Sequence, residues 1–176
     1  MEPGPGASCA ISLNALLTPE QQARYQAPDR IQDILRTTKS IAVVGLSADQ
    51  QKPSHFVATY MQHEGYRVIP VNPRGGTILG ETVYADLKSI PGQVDLVDIF
   101  RPAEEVPAIF DQAIAIGAKA VWTQLRIVHI EAAEKALAAG LVVVMDKCLM
   151  VEHERCSGSL HSAGMNPEII SAKRFP

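Results

Sequence analysis

A short loop between a predicted strand and a predicted helix carries residue types that bind phosphate. The first apolar run ends at Gly45-Leu46-Ser47, and Lys52 stands just before the next helical pattern. Backbone N–H groups at a helix start attract anions, and a hydroxyl and a lysine add a donor and a charge. The fingerprint GxGxxG is not met, because Ser47 and Gln50 occupy its second and third glycine positions. We interpret this as a phosphate loop, the alternative being a plain strand–helix turn with a solvated lysine.

A second candidate phosphate ligand follows the second apolar run. That run ends in Asn72-Pro73-Arg74, followed by two glycines. Proteins that bind NAD usually place Asp or Glu here to hold the ribose hydroxyls, whereas arginine suits bidentate phosphate recognition. The loop therefore disfavours NAD and favours NADP or coenzyme A, nucleotides with an extra ribose phosphate. The alternative for Arg74 is a surface arginine on a glycine-rich loop.

The cysteines offer one candidate for thiol chemistry. Cys148 follows Lys147 just after the fifth apolar run, and a neighbouring cation can favour a thiolate. We favour the alternative, a buried and inert thiol, and expect Cys156 to be an ordinary loop thiol. The 3 cysteines, Cys9 included, form no CxxC pair, so neither a zinc site nor a disulfide scaffold is indicated.

The remaining polar residues do not form a catalytic or metal-binding pattern. The histidines lack a spacing such as HExxH, so we expect no metal, and His153 is interpreted as one half of a solvated helix pair with Glu152. Asp95 and Asp98 share one predicted strand and are expected to face one side of it, in structural hydrogen bonds, the alternative being that Asp98 turns toward a ligand cleft. No Ser-His-Asp order or carboxylate pair stands out at the strand ends, and we predict no catalytic residues.

Composition bounds the class of protein. The chain has 176 residues with a net charge of -3, and 47% are hydrophobic but only 5% aromatic. These values are those of a globular chain and disfavour a nucleic-acid-binding surface. No run reaches the length of a membrane span, and the odd cysteine count fits a reducing compartment. We therefore expect a cytoplasmic protein that binds neither nucleic acid nor membrane, and leave a homodimer open.

Strand and helix patterns alternate along the chain. Five mostly unalternating runs rich in Val and Ile predict strands buried on both faces of a parallel sheet. They are Ile41–Gly45, Arg67–Val71, Val94–Phe100, Ala120–Gln124 and Leu141–Met145, with helices expected over Pro53–Glu64, Ala103–Ile116 and Ile130–Ala139. We predict an α/β fold, a Rossmann-like, doubly wound parallel five-stranded sheet of order 3-2-1-4-5. A ligand would then lie at the carboxyl ends of the first and fourth strands.

The chain divides into three predicted parts. Residues 1–27 are expected to be an N-terminal extension, disordered over its first ten residues, which are rich in Gly and Pro, with a short helix opening near Thr18. Residues 28–156 form the Rossmann domain, and residues 157–176 form a tail to which we assign no function.

Taken together, the motifs resemble the small CoA-binding domain family, one-domain relatives of the α subunit of succinyl-CoA synthetase. The matching segments cover most of residues 40–155. They are IAVVGLS (41–47), KPSH (52–55), GYRVIPVNP (65–73), LGETVYADL (79–87), VDLVDIFRP (94–102), EVPAIFDQAIAIGAKAVWTQL (105–125) and AAGLVVVMDKCLMVEH (138–153).

The resemblance implies a CoA ligand and a set of residues that would hold it. The phosphate loop, the loop after the second strand, the adenine and ribose side, and the end of the fourth strand each contribute. Carried over by position, these residues are Gly45, Leu46, Ser47, Lys52, Asn72, Pro73, Arg74, Phe100, Arg101, Val106, Trp122 and Gln124. One departure concerns the family's usual Gly shortly after the WxQ segment, since here Arg126 follows Leu125; this arginine would narrow the cleft or add a phosphate contact.

We therefore expect a module that binds coenzyme A or acyl-CoA without catalysis. An NADP-binding oxidoreductase fragment or redox sensor is the main alternative, and a scaffold whose nucleotide site has decayed is a third. A dehydrogenase would need a further region to present its substrate, and most of this chain is used by one sheet.

Overall fold

A computed structural model describes residues 16–158 and shows a parallel sheet with helices on both faces. The predicted disorder of the first ten residues, Cys9 and the tail beyond Gly158 lie outside the described residues. The strands are β1 Ser40–Val44, β2 Arg67–Val71, β3 Thr77–Ile78, β4 Glu81–Thr82, β5 Leu96–Ile99, β6 Ala120–Thr123 and β7 Val142–Val144. The helices are α1 Pro19–Tyr25, α2 Pro28–Thr37, α3 Pro53–His63, α4 Val106–Ala115, α5 Ile130–Ala138 and α6 Leu149–Ser157.

The predicted α/β class with five parallel strands is confirmed, but the predicted strand order is wrong. The sheet runs β2-β1-β5-β6-β7, so the third of the five strands lies beside the first instead of outside the second. Register pairs Ile41 with Leu96 on one side of β1 and with Val68 on the other. The switch point of the topology is therefore between β1 and β5, and not between the first and fourth strands.

Pro70 gives the physical reason for this order. It lies inside β2 and has no N–H to donate to a further strand, so β2 belongs at an edge of the sheet. The Pro70 carbonyl faces outward and accepts from the N–H of Tyr84 at 3.0 Å. Along this edge the described chain forms a single parallel bridge between Val71 and Tyr84, and the hairpin of β3 and β4, which the sequence did not indicate, precedes it.

Two apolar layers enclose the sheet. Helices α2, α3 and α6 cover the face that carries Val43 and Trp122, and α4 and α5 cover the face that carries Val97 and Val121. The helix pattern predicted α3, α4 and α5 well, including Pro107 in the first turn of α4. The predicted helix start at Thr18 is also present, because its side chain caps α1.

The N-terminal helix α1 packs onto the second of these layers. Tyr25 is buried, and its hydroxyl donates to Glu134 of α5, which also pairs with Arg24.

The domain boundaries proposed from the sequence stay predictions. Within residues 16–158, no helix is long and apolar enough to cross a membrane.

Candidate functional site

A cleft of about 1010 Å³ opens at the carboxyl ends of β2, β1, β5 and β6. In open parallel sheets, this edge beside the switch point is where ligands bind. Nine of the twelve predicted ligand-binding residues line the cleft, which is possible because parallel strands end at one edge whatever their order. They are Gly45, Ser47, Lys52, Asn72, Pro73, Arg74, Phe100, Arg101 and Gln124.

The other three predicted residues do not line the cleft with their side chains. Leu46, Val106 and Trp122 are each 0% exposed and belong to the two apolar layers. The indole N–H of Trp122 donates to the carbonyl of Lys147 at 2.7 Å, which ties the ends of β6 and β7 together. These residues support the cleft from behind, and direct roles in binding stay predictions.

The loop after β1 begins with Gly45, a glycine that the packing of the strand ends requires. Gly45 has a φ of +86°, and its N–H donates to the carbonyl of Val71. A Cβ here would lie 2.8 Å from the carbonyl oxygen of Phe100 and from Cδ of Arg101. A side chain at Gly45 would therefore strike the end of β5 before it met any ligand.

The same loop is tied to the first turn of α3. The hydroxyl of Ser54 accepts the N–H of Ser47 at 3.1 Å, and Nδ1 of His55 contacts the Ser47 carbonyl at 2.9 Å. Lys52 is the N-cap residue of α3 and lines the cleft with Ser54. The positive end of a helix thus faces the cleft beside a lysine, an arrangement that favours an anion.

Asn72 joins this loop to the one after β2. Its side-chain amide donates to the carbonyl of Leu46 at 3.0 Å, while its Oδ1 accepts the N–H of Arg74 at 3.0 Å. This Asx turn places the exposed Arg74 at the cleft. In the part of the chain that is described, the side chains of Lys52 and Arg74 are in no salt bridge, so both charges are available to a ligand.

Arg101 differs from the other two cations because it already has an acidic partner. Its guanidinium donates two hydrogen bonds to Glu105, at 2.8 and 2.7 Å. Glu105 also lines the cleft but was not among the predicted residues. The spacing of four residues between Arg101 and Glu105 is the signal that could have found it.

Gln124 lines the cleft, and two hydrogen bonds fix the orientation of its side-chain amide. Its Nε2 donates to Oδ1 of Asp98 at 2.7 Å, and its Oε1 accepts the N–H of Leu149 at 3.4 Å. Asp98 is 0% exposed, and burial raises the pKa of its carboxyl to about 7. Its Oδ2 has no hydrogen-bond partner among residues 16–158.

Asp95 and Asp98 do not share a side of the strand, and that expectation is wrong. They are three residues apart, and alternation places such residues on opposite faces. Asp95 lies at the far end of the sheet, where it accepts the N–H groups of Lys39 and Ser40 and pairs with Lys119. Although burial opposes it, these contacts lower the pKa of Asp95 to about 2. Structural hydrogen bonding is confirmed for both carboxyls.

Cys148 lines the cleft, but its surroundings do not activate the thiol. Burial raises its pKa, and this outweighs the backbone N–H groups at the start of α6. The Lys147 ammonium lies 3.5 Å from Glu152, which is buried. The interpretation of Cys148 as an inert thiol is therefore supported.

Two other sequence interpretations of this region are wrong. Cys156 lies in helix α6 instead of a loop. His153 is half-buried and not one half of a solvated pair with Glu152; its Nδ1 lies 2.8 Å from the hydroxyl of Tyr60. Over residues 16–158, no group of three His, Cys, Asp or Glu side chains is placed to hold a metal ion.

The sheet and the basic cleft at its switch point define a Rossmann-like α/β domain of the kind that holds ligands beyond the carboxyl ends of its strands. The chain belongs to the CoA binding domain family, whose model matches residues 39–154. The resemblance seen in the sequence motifs is thereby confirmed.

Relatives of this chain include small proteins and one part of a larger enzyme. It is 39% identical over 123 residues to the uncharacterized protein YneT of Bacillus subtilis, covering 70% of this chain and 91% of YneT. The structure of a hypothetical protein from Pyrococcus horikoshii has a TM-score of 0.72 and 38% identity, covering 74% of this chain and 92% of the other. The alpha subunit of an ADP-forming acetate–CoA ligase from Pyrococcus furiosus is 33% identical over 90 residues, 51% of this chain but only 20% of that subunit.

Proposed function

We propose that this protein binds coenzyme A or acyl-CoA in the cleft between β1 and β5 and does not catalyse a reaction there. The observation that carries the proposal is the pair of cations, Arg74 and Lys52, whose loops are held together by Asn72. Family membership supports the choice of CoA, and the likeness to a segment of an acetate–CoA ligase agrees with it.

The residues at this end of the cleft suit the nucleotide portion of CoA. The start of α3 and Lys52 would face the diphosphate, and Arg74 would reach the 3′-phosphate of the ribose. The cleft volume of about 1010 Å³ lies at the upper end of the 300–1,000 Å³ typical of ligand pockets, as an elongated ligand requires.

Two features of the cleft support a binding role over a catalytic one. The hydroxyls of Ser54 and Ser47 accept the backbone N–H groups of Ser47 and Asp49, respectively. The His55 ring contacts the carbonyl of Ser47 and not a serine hydroxyl that it could deprotonate. The Cys148 thiol has a raised pKa. Among the described residues that line the cleft, we find no nucleophile paired with a base, which acyl transfer would need.

Calorimetry with CoA and dephospho-CoA tests the proposal. A charge-assisted contact is worth about 1.5–3 kcal/mol, so CoA should bind about 10- to 100-fold more tightly than dephospho-CoA. Arg74→Ala should remove most of this difference and leave the affinity for dephospho-CoA nearly unchanged. Added salt should also reduce it, because Arg74 is exposed.

Arg67 provides a matched control for this experiment. It is an exposed arginine at the other end of β2, far from the cleft. Arg67→Ala should keep the full preference for CoA. Equal affinity of the wild type for CoA and dephospho-CoA would exclude the role of Arg74, and tighter binding of NADP than of CoA would overturn the ligand assignment.

A further inference from the structure

Arg126 occupies a backbone position that suits glycine. It is the third residue of a turn in which the N–H of Ile127 donates to the carbonyl of Gln124 at 3.1 Å, and its φ is +67°. An L-residue with a side chain adopts this conformation only at a cost in free energy, so glycine or asparagine is the usual choice.

The surrounding structure holds the turn in this conformation. Oδ1 of Asp146, at the end of β7, accepts the backbone N–H of Arg126 at 2.6 Å. Asp146 itself has a φ of +57°. One hydrogen bond thus joins two residues of positive φ in the loops that follow β6 and β7, and Arg126 lines the cleft from this turn.

The arginine lies at the opposite end of the cleft from Lys52 and Arg74. The strand order places the end of β6 two strands from β1 and three from β2. With neighbouring strands about 4.8 Å apart, the two ends of the cleft are separated by roughly 10–14 Å. Between them stands Arg101, whose charge is matched by Glu105. The cleft therefore has two separate positive ends.

The residues that line the cleft beside Arg126 are uncharged. Leu125, Ile127, Gln124 and Cys148 line this end of the cleft. Through residues 16–158, no acidic side chain forms a salt bridge with the Arg126 guanidinium; Asp146 bonds its main chain. An exposed cation beside apolar side chains fits a ligand with a short carbon chain that ends in an anion.

Resting on the proposed function, we propose that Arg126 recognises a carboxylate at the end of the acyl chain, so that the ligand is the CoA thioester of a dicarboxylic acid. All phosphates of CoA belong to its nucleotide end, which the proposed function assigns to Lys52 and Arg74. The thioester end carries charge only if the acyl group does. A guanidinium there pairs with a carboxylate in bidentate geometry.

Calorimetry with two matched thioesters tests this inference. Glutaryl-CoA and valeryl-CoA share a five-carbon chain, and only glutaryl-CoA ends in a carboxylate. At low ionic strength, the wild type should bind glutaryl-CoA about five- to tenfold more tightly than valeryl-CoA. Arg126→Gly should abolish this preference and leave the affinities for CoA and valeryl-CoA unchanged. Glycine suits a φ of +67°, so the variant should fold, which thermal unfolding would verify.

The outcomes separate this inference from the proposed function. Equal affinity of the wild type for the two thioesters, with CoA still bound, would overturn the inference alone. An Arg126→Gly variant that loses affinity for CoA and both thioesters by one common factor would show a phosphate contact instead, and would also overturn it. Failure of the wild type to bind CoA or either thioester would overturn the proposed function and the inference with it.

Discussion

The buried carboxyl of Asp98 predicts an unusual dependence of stability on pH. This group is 0% exposed, receives one hydrogen bond from Gln124, and has no partner for its Oδ2 among the described residues. Burial raises its pKa from 3.8 to about 7, because the ionised form loses its hydration. Asp98→Asn keeps the shape of the side chain and the acceptor for Gln124 but removes the ionisation.

The size and sign of the effect follow from proton linkage. Between pH 4 and pH 7 the folded protein holds the Asp98 proton while the unfolded chain has released it, so the free energy of unfolding falls as the pH rises. The pKa difference is about three pH units. At about 1.36 kcal/mol per unit, the wild type should lose about 4 kcal/mol of stability through Asp98 between pH 4 and pH 8.

Urea unfolding of the wild type and of Asp98→Asn, at intervals from pH 4 to pH 8.5, measures this loss. The free energy of unfolding of the variant minus that of the wild type should rise by about 4 kcal/mol over this range and then level off. Comparing the two proteins cancels other titrations, such as that of His153, whose pKa is lowered by burial.

Asp95→Asn is the matched control, because the pKa of Asp95 is lowered to about 2. Its contribution to stability is present above pH 4 and is lost only below that, as the folded carboxyl becomes protonated. The difference between Asp95→Asn and wild type should therefore stay flat from pH 5 to pH 8.5. A flat difference for Asp98→Asn as well would refute the reasoning, since it would mean that Asp98 ionises at its ordinary pKa.

Two further predictions concern single residues of the cleft. Gly45→Ala should lower the free energy of unfolding in urea by about 2–4 kcal/mol, because alanine is strained at this positive φ and its Cβ would collide with the Phe100 carbonyl. Gly75 also has a positive φ but open space where a Cβ would lie, so Gly75→Ala should lower the free energy of unfolding by only about 1–2 kcal/mol. Equal losses of stability in the two variants would contradict the predicted collision with the Phe100 carbonyl. Burial raises the pKa of both thiols, but Cys156 is exposed and Cys148 is only partly so, and iodoacetamide should therefore alkylate Cys156 several times faster, as peptide mass spectrometry would show. Faster reaction of Cys148 would mean an activated thiol.

The membership of the cleft could be predicted from the sequence even though the strand order could not. Gly45, Arg74 and Arg101 each follow a strand, and parallel strands all end at one edge, so any order brings them together. Which strands flank the cleft depends on the order itself. Pro70 carried the missing information, because a strand that contains proline belongs at an edge.

Other features were beyond the reach of sequence motifs. Trp122 and Leu46 belong to the matching segments, but a motif does not distinguish a side chain that lines a cleft from one that supports it from behind. The partner of Asp98 is Gln124, which lies 26 residues away. Nothing in the sequence around Asp98 indicates that one of its carboxyl oxygens, Oδ2, is buried without a hydrogen-bond donor among the described residues.

The proline in β2 also bears on how copies of this protein can associate. A dimer built by extending the sheet would pair strands along β2 or β7, the two outer strands. Along β2, Pro70 offers no N–H and its carbonyl is taken by Tyr84. Along β7, only the three residues Val142–Val144 are available. Both edges are poor templates for another chain, which guards against edge-to-edge aggregation, so we expect any dimer to form through side chains on helices and loops.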